Sequence, residues 1–352
     1  MKRIGYIYGK ICDLENIKAA IMRSSMGKRD KKFVQYVIEN IGSCSLKVQK
    51  MLVDKSYIPS PYTIKTIQDE SSNKERTIFK PRYFPDQIIH WALMLQLHDL
   101  FMHGMYKYTC GSVPKRGTSY GQKIIRKWLD KDCQGTKYCL KMDISKFYPS
   151  INGELLKTIL RRHIKDVDCL WLLGQIIDSN KLGLPIGNYT SQWLSNFFLQ
   201  GLDHHIKEKL CVKYYIRYVD DLVILGGNKC RLHQIRKLID EYLTTLKLKM
   251  KQDWQIFPVS NRAIDFLGLR FFRDKTILRK RNALRIRRRM AKISKKKIIT
   301  RQDACAVVSY WGWIKRCDSF NFYNKYVKPK IDIAFAKNII STYAKQSLRN
   351  NN

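Results

Sequence analysis

Asp220 and Asp221 are the residues that most directly suggest chemistry, set between Tyr214-Tyr215-Ile216-Arg217 and Leu222-Val223-Ile224-Leu225. Apolar, β-branched and aromatic residues on both sides predict a β-hairpin with two acids at its tip. Adjacent carboxylates repel unless a cation lies between them, and Mg²⁺ favours carboxylate together with phosphate oxygens. Taken alone, Asp-Asp also reads as an ordinary turn, where aspartate is common. Upstream, Lys137-Tyr138-Cys139-Leu140-Lys141-Met142-Asp143 reads as a strand ending on a third aspartate, ahead of Phe147, Tyr148 and Pro149. One acid at a strand end and two in a later hairpin form a three-carboxylate set. With such a set, two metal ions can clamp the attacking and leaving oxygens of an in-line displacement.

The pattern resembles the right-hand polymerases, and among them the reverse transcriptases, whose palm carries D-x-x-x-x-[FY] and Y-x-D-D motifs. Asp143 with Tyr148, and Tyr218-Val219-Asp220-Asp221, match both. The resemblance implies an α+β fingers-palm-thumb fold with an antiparallel palm sheet backed by helices and a helical thumb. It implies that Asp143, Asp220 and Asp221 hold two Mg²⁺, or Mn²⁺, with the carbonyl of Ile144 as a further ligand. Tyr148 would lie under the sugar and select deoxynucleotides; the alternative is a tyrosine of the palm core. Lys249 or Lys251, following a predicted helix over 229–246, is the candidate proton donor to the leaving pyrophosphate, with Lys251 the first choice.

Between the aspartate motifs lies Leu184-Pro185-Ile186-Gly187-Asn188-Tyr189-Thr190-Ser191-Gln192, leading into an apolar helix that is expected to run to about Leu210. Most reverse transcriptases have a glutamine before this glycine; here the pattern is I-G-x-x-x-S-Q. It resembles the enzymes of diversity-generating retroelements, which copy a template-repeat RNA into cDNA with errors concentrated opposite adenines. In the family this turn packs on the nascent base pair, so Ile186, Gly187 and Gln192 are candidate nucleotide-site residues. An aliphatic at 186 removes a polar handle on the templating base. Two alternatives remain within the family: an antiphage defence enzyme, self-primed or template-independent, and a group II intron-like enzyme. A third alternative is a non-catalytic RNA-binding scaffold.

Composition bounds these readings independently. Sixty-seven Lys+Arg against 29 Asp+Glu give a formal charge of +38 in 352 residues, with 45% hydrophobic and 12% aromatic content. Such a chain can bury a sizeable core, and its charge calls for a polyanion, with rings available to stack bases. Ten scattered cysteines without C-x-x-C or zinc spacing read as reduced thiols. The opening Met1-Lys2-Arg3-Ile4-Gly5-Tyr6 lacks a signal-length apolar core, and no run approaches eighteen apolar residues. The expectation is a cytoplasmic protein of a bacterium or phage, with no membrane partner. Adjacent His204 and His205 would point about 100° apart on a helix, against a shared ligand role.

The rest of the chain supplies the surroundings. Residues 13–42 predict two helices joined by a Gly27-Lys28-Arg29 link open to phosphates, or a plain solvated loop. Residues 63–67 and 76–80 predict a hairpin around Asp69–Asn73 that closes over the triphosphate in the family. Arg76 is the candidate contact, since a guanidinium fork holds phosphate oxygens bidentately, with Lys65, Lys74 and Lys80 as alternatives. His90, within an apolar helix over 85–97, reads as a core or groove histidine. The glycine-, cation- and aromatic-rich loop 106–121, with Arg116, suits contact with a nucleic-acid strand. Residues 263–272 resemble the primer grip at Leu267 and Gly268. Arg279–Arg301 carries 12 Lys/Arg in 23 residues and predicts a phosphate-facing thumb helix with Arg285, Arg287, Arg288 and Arg289, followed by a helix over 303–315. The expected division is 1–136 fingers and N-terminal extension, 137–275 palm, and 276–352 thumb. Implied partners are a structured template RNA, an RNA/DNA duplex, dNTPs and a small basic accessory ring protein.

Overall fold

Caps and apolar periodicity set the first elements. After one turn, α1 (Tyr8–Ile11), the carboxylate of Asp13 accepts from the N–H groups of Glu15 and Asn16 and starts α2 (Leu14–Ser24). Ile17, Ala20, Ile21 and Ser24 form its buried face at helical spacing. Gly27, at φ +71, turns the chain into α3 (Lys32–Glu39) and α4 (Ile41–Val53). In the link, Lys28 donates back to Gln87 and the Ser24 carbonyl. The computed structural model describes residues 3–69 and 74–349; Glu70–Asn73, the rest of the expected hairpin turn, lie outside the described residues.

β1 (Thr63–Asp69) and β2 (Lys74–Lys80) pair antiparallel with Thr63 opposite Lys80, Lys65 opposite Ile78 and Ile67 opposite Arg76. Residues opposite one another share a face, so this register gathers Lys65, Arg76 and Lys80 on one side of the hairpin. A kinked turn at Tyr83–Gln87, extended at Phe84, leads into α5 (Ile88–Met102), apolar nearly all round and therefore a core helix, with His90 fully buried in it.

β3 (Thr109–Cys110) and α6 (Thr118–Lys131) precede β4 (Tyr138–Asp143), followed by α7 (Phe147–Ser150), α8 (Gly153–Arg161) and α9 (Val167–Asp178). The expected long helix after Ile186 is divided at Leu199 into α10 (Tyr189–Phe198) and α11 (Gln200–His204), and a π-turn at His205–Lys209 follows. Next come β5 (Tyr214–Tyr218), β6 (Asp221–Gly226), α12 (Lys229–Thr245) and β7 (Gln255–Pro258). The sheet order is β3-β5-β6-β4-β7, with short β3 parallel to β5. Four consecutive residues in each of β5 and β6 are buried, the continuous apolar pattern of strands covered on both faces.

β8 (Ile264–Phe266), β9 (Leu269–Phe271) and β10 (Thr276–Leu278) form an antiparallel three-stranded sheet. α13 (Lys280–Ile293), α14 (Arg301–Ile314), α15 (Phe320–Tyr326) and α16 (Ile333–Arg349) complete the chain. The basic helix expected over Arg279–Arg301 stops at Ile293. Thr300 and Asp303 form a reciprocal capping box that starts a new helix after the Lys295-Lys296-Lys297 run. Two compact units result: one of residues 1–116, 140–224 and 229–255, the other of 117–139, 225–228 and 256–352. Among the described residues no helix is long and apolar enough to cross a membrane.

Candidate active site

The hairpin tip is held from beneath by a buried ionic network. Arg217, on β5, donates from Nε and Nη2 to the two carboxylate oxygens of Asp203 at 2.8 and 2.6 Å, both side chains being 0% exposed. Tyr215 and Thr109 hydroxyls also donate to Asp203, at 2.7 and 3.0 Å. The remaining arm, Nη1, reaches Asn196 Oδ1 at 3.1 Å and the Val219 carbonyl at 2.9 Å. Val219 has φ +58, a strained conformation for a β-branched residue, and its N–H donates to the Cys110 carbonyl. Two hydrogen bonds thus hold the strained residue that turns the chain from Tyr218 to Asp220. Gly111 lies against this turn at φ +87; a Cβ there would sit 2.9 Å from Val219 Cγ2.

β4 delivers Asp143 beside this tip, where the Ile144 N–H donates to the Asp220 carbonyl at 3.2 Å. Lys251 returns to the same place: its N–H donates to the Asp143 carbonyl at 2.8 Å and its Nζ lies 2.6 Å from Asp143 Oδ1. Lys141 Nζ is 3.7 Å from Asp221 Oδ2. Lys249 is exposed. Burial, and after it the charge of Asp143, push the Asp220 carboxyl up to about 6, while Lys251 and Arg76 pull it down. Among the described residues no three His, Cys, Asp or Glu side chains converge as an ion-binding group. Asp143 and Asp221 each have an ammonium as countercharge, those of Lys251 and Lys141. The donor chemistry suits a hard divalent cation: the candidate ligands are all oxygens, and the Asp143 charge that adds to burial in raising the Asp220 carboxyl is repulsion such an ion relieves.

Tyr148 is half-buried, with its hydroxyl 3.4 Å from Ser195 Oγ on α10 and burial raising its pKa. The Ile186 carbonyl accepts from the Phe79 N–H at 2.7 Å. Gly187 has φ +126, and a Cβ there would lie 2.4 Å from the Phe79 carbonyl oxygen, so only glycine lets the turn seat on β2. Asn188 donates to the Tyr62 hydroxyl at 2.8 Å. Half-buried Ile186 is thereby fixed against the β1–β2 hairpin, and Gln192 is exposed on α10.

Residues 80–271, more than half of the chain, match the family described as reverse transcriptase (RNA-dependent DNA polymerase). The chain belongs to that family. Its fold is the mixed α/β right-hand polymerase fold. Protein YkfC of Escherichia coli strain K12 is 23% identical over 236 residues, covering 54% of this chain and 62% of YkfC. The retron Ec73 reverse transcriptase of Escherichia coli is 28% identical over 207 residues, covering 54% of this chain and 65% of that protein. The retron Ec48 enzyme, also of Escherichia coli, is 26% identical over 215 residues, covering 59% and 52%. The chain thus spans less than two thirds of the length of these relatives. Among solved structures, apo telomerase from Candida tropicalis superposes with TM-score 0.49 at 13% identity, covering 80% of this chain and 57% of that one.

The remaining candidates from sequence have contacts of their own. Arg116 closes its own loop, donating to the Tyr106 carbonyl at 3.1 Å. In the second unit, Leu267 and Gly268 turn β8 into β9 with φ +49 and +78, as a two-residue hairpin loop of the I′ type demands. Gln122 donates to the Leu267 carbonyl at 2.9 Å and Asn282 to that of Gly268 at 3.0 Å. Three of the four arginines expected to face phosphates have intramolecular partners. Arg285 donates to Asn282, Arg287 lies 5.6 Å from the Tyr326 ring centroid, and Arg289 pairs with Asp303 at 2.9 Å; Arg288 is exposed. His204 meets Glu208 and the Gly104 carbonyl while His205 packs on Tyr242, so the two histidines share no site. Sequence reasoning missed Arg217, Asp203, Asn196 and Lys141. The available signal was a lone arginine inside an otherwise apolar strand.

Proposed function

We propose that the chain polymerises DNA on an RNA template, with Asp143, Asp220, Asp221 and the Ile144 carbonyl as ligands of two divalent cations, Mg²⁺ or Mn²⁺. The observation that carries this reading is the meeting of Asp143 with the Asp220-Asp221 tip, where burial and mutual repulsion raise one carboxyl. When bound, the cations supply Lewis acidity toward a primer 3′-hydroxyl and positive charge for the departing pyrophosphate. The chain's own residues do the rest. Arg76 extends its charge to Asp220 and shares a face with Lys65 and Lys80, a cationic surface for a triphosphate. Tyr148 supplies the ring beneath the sugar, and so the choice of dNTPs. In this reading Lys251, within hydrogen-bond reach of Asp143, gives a proton to the pyrophosphate oxygen. Leu267 and Gly268 act as the primer grip; Arg116 and the thumb arginines, Arg288 foremost, approach template RNA and the RNA/DNA duplex. In this reading residues 1–136, 137–275 and 276–352 serve as fingers, palm and thumb.

The finer programme we propose is that of a diversity-generating retroelement, copying a template-repeat RNA with errors opposite adenines and assisted by a small basic ring protein in a bacterial or phage-infected cytoplasm. Ile186-Gly187 seated on β2 supports it, since an aliphatic stands where an amide would offer a hydrogen bond. A second reading, a retron or antiphage defence enzyme, is favoured by the two retron reverse transcriptases among the relatives. Primer extension on an RNA template with Mg²⁺ and four dNTPs, products sequenced, tests both. Wild type is expected to make cDNA with errors at template adenines, Ile186→Gln to lower that error rate, and Asp220→Ala to make none. Accurate wild-type cDNA, or a spectrum unmoved by Ile186→Gln, would transfer the assignment to the second reading; synthesis surviving Asp220→Ala would end the catalytic one.

A further inference from the structure

Two buried polar side chains in the second unit face a cavity that the catalytic reading does not use. Gln122 and Thr276, each 4% exposed, line a cavity of about 820 Å³ bounded by α6, β9–β10 and the C-terminal end of α14. Gln122 donates from Nε2 to Leu267, yet its Oε1 accepts no hydrogen bond from any described residue. Thr276 has both backbone groups engaged with Asp318, yet its Oγ1 has no described partner. An unpaired buried polar atom carries a desolvation cost, so two lining one cavity point to a ligand that supplies the missing hydrogen bonds.

The rim specifies the rest of that ligand. Lys123, Lys127 and Lys131 recur every four residues along one face of α6, about 6 Å apart, and Lys315 and Arg316 stand opposite at the end of α14. Among the described residues none of these five has an ion pair. The two carboxylates present are engaged: Asp130 pairs with Arg126, and Asp318 accepts from the Thr276 N–H. Like charges at i,i+4 destabilise a helix unless an anion compensates them. Phe271 adds an apolar wall.

We propose that this cavity binds a nucleotide, with N–H and hydroxyl groups of the base or sugar on Gln122 Oε1 and Thr276 Oγ1 and the phosphate on the lysine rim. About 820 Å³ falls within the range of small-ligand sites. The nucleotide is either free or turned out of a bound RNA. The inference stands on the second unit alone and does not depend on the aspartates.

Equilibrium dialysis of the full chain against each ribonucleoside 5′-monophosphate, with inorganic phosphate as a second probe, tests the free source. Photo-crosslinking of a 4-thiouridine RNA hairpin, with peptide mapping, tests the RNA source. Thr276→Val keeps the shape and the backbone bonds while removing the hydroxyl, and Lys127→Gln with Lys131→Gln alters only exposed positions. Each variant is expected to weaken monophosphate binding about tenfold, or to abolish a cross-link to α6 or Phe271 that wild type shows. A monophosphate effect assigns a free nucleotide, and a cross-link effect alone assigns an RNA nucleotide. The proposal is overturned if neither probe responds to Thr276→Val. It is equally overturned if inorganic phosphate occupies the rim as well as any nucleotide does, leaving a plain basic surface.

Discussion

Removing Arg217 should separate the stability of the fold from the geometry of the aspartates. Arg217→Met leaves the Asp203 carboxylate, 0% exposed, with only the Tyr215 and Thr109 hydroxyls as donors, and frees Asn196 Oδ1 and the Val219 carbonyl. Breaking one side of a buried pair costs about 3–5 kcal/mol, a large part of a domain's ~5–15 kcal/mol. Arg217→Met with Asp203→Leu removes both charges, and such replacements are commonly neutral or stabilising. The double variant should regain most of the lost stability. It should not regain activity, because the strained φ of Val219 is no longer held through its carbonyl. Urea unfolding of wild type, both single variants and the double variant gives the coupling energy, and primer extension gives the turnover. A loss below about 1 kcal/mol for Arg217→Met, or a double variant with wild-type turnover, would refute the argument that this pair positions the aspartates.

Three further outcomes follow from the same geometry. Without divalent cations, Asp220→Asn should raise the Tm above pH 6: the raised carboxyl, at about 6 against its ordinary 3.8, loses stability as pH rises through that window, by up to about 2–3 kcal/mol. Mg²⁺ should stabilise wild type and not this variant, as differential scanning fluorimetry will register. His90, fully buried, is held down to about 4 by burial and stays neutral in the fold; the unfolded chain takes up a proton first, so stability should fall by up to about 3 kcal/mol as pH drops from 6.5 to 4, and His90→Leu should flatten that slope in urea titrations. Gly187→Ala, with φ +126 and a Cβ 2.4 Å from the Phe79 carbonyl oxygen, should cost about 2 kcal/mol or more, whereas Gly174→Ala on α9, with no neighbour within 4 Å, should stabilise by roughly 0.5–1 kcal/mol. Calorimetry of the two alanine variants side by side checks both the sign and the gap.

Much of the site's skeleton was legible because its determinants are local. Apolar, β-branched and aromatic residues on both sides of Asp220-Asp221 predict the hairpin that forms, whereas Tyr138–Asp143 becomes a strand although Leu140, Lys141 and Met142 carry no β preference of their own. The position of Gly187 could be recognised as a turn, though not the carbonyl against which it packs. Boundaries failed where a competing cap intervened: the Thr300–Asp303 box divides a basic stretch that charge and periodicity alone would continue.

Tertiary structure decided what each charge is for. Along the chain, Arg217 looks like one more cation of a +38 protein, and Arg285, Arg287 and Arg289 look like phosphate contacts. Folding buries the first against Asp203 and gives the others Asn282, Tyr326 and Asp303 as partners. Likewise Lys251 becomes a partner of Asp143 only because α12 returns the chain beside β4, and Lys65, Arg76 and Lys80 share a face only through the pairing register of β1 and β2. Propensity and turn chemistry act over a few residues and are written in order along the chain. The partner of a charge is set by which distant segments the packed core brings within a few ångströms, and that distance exists only once the chain has closed on itself.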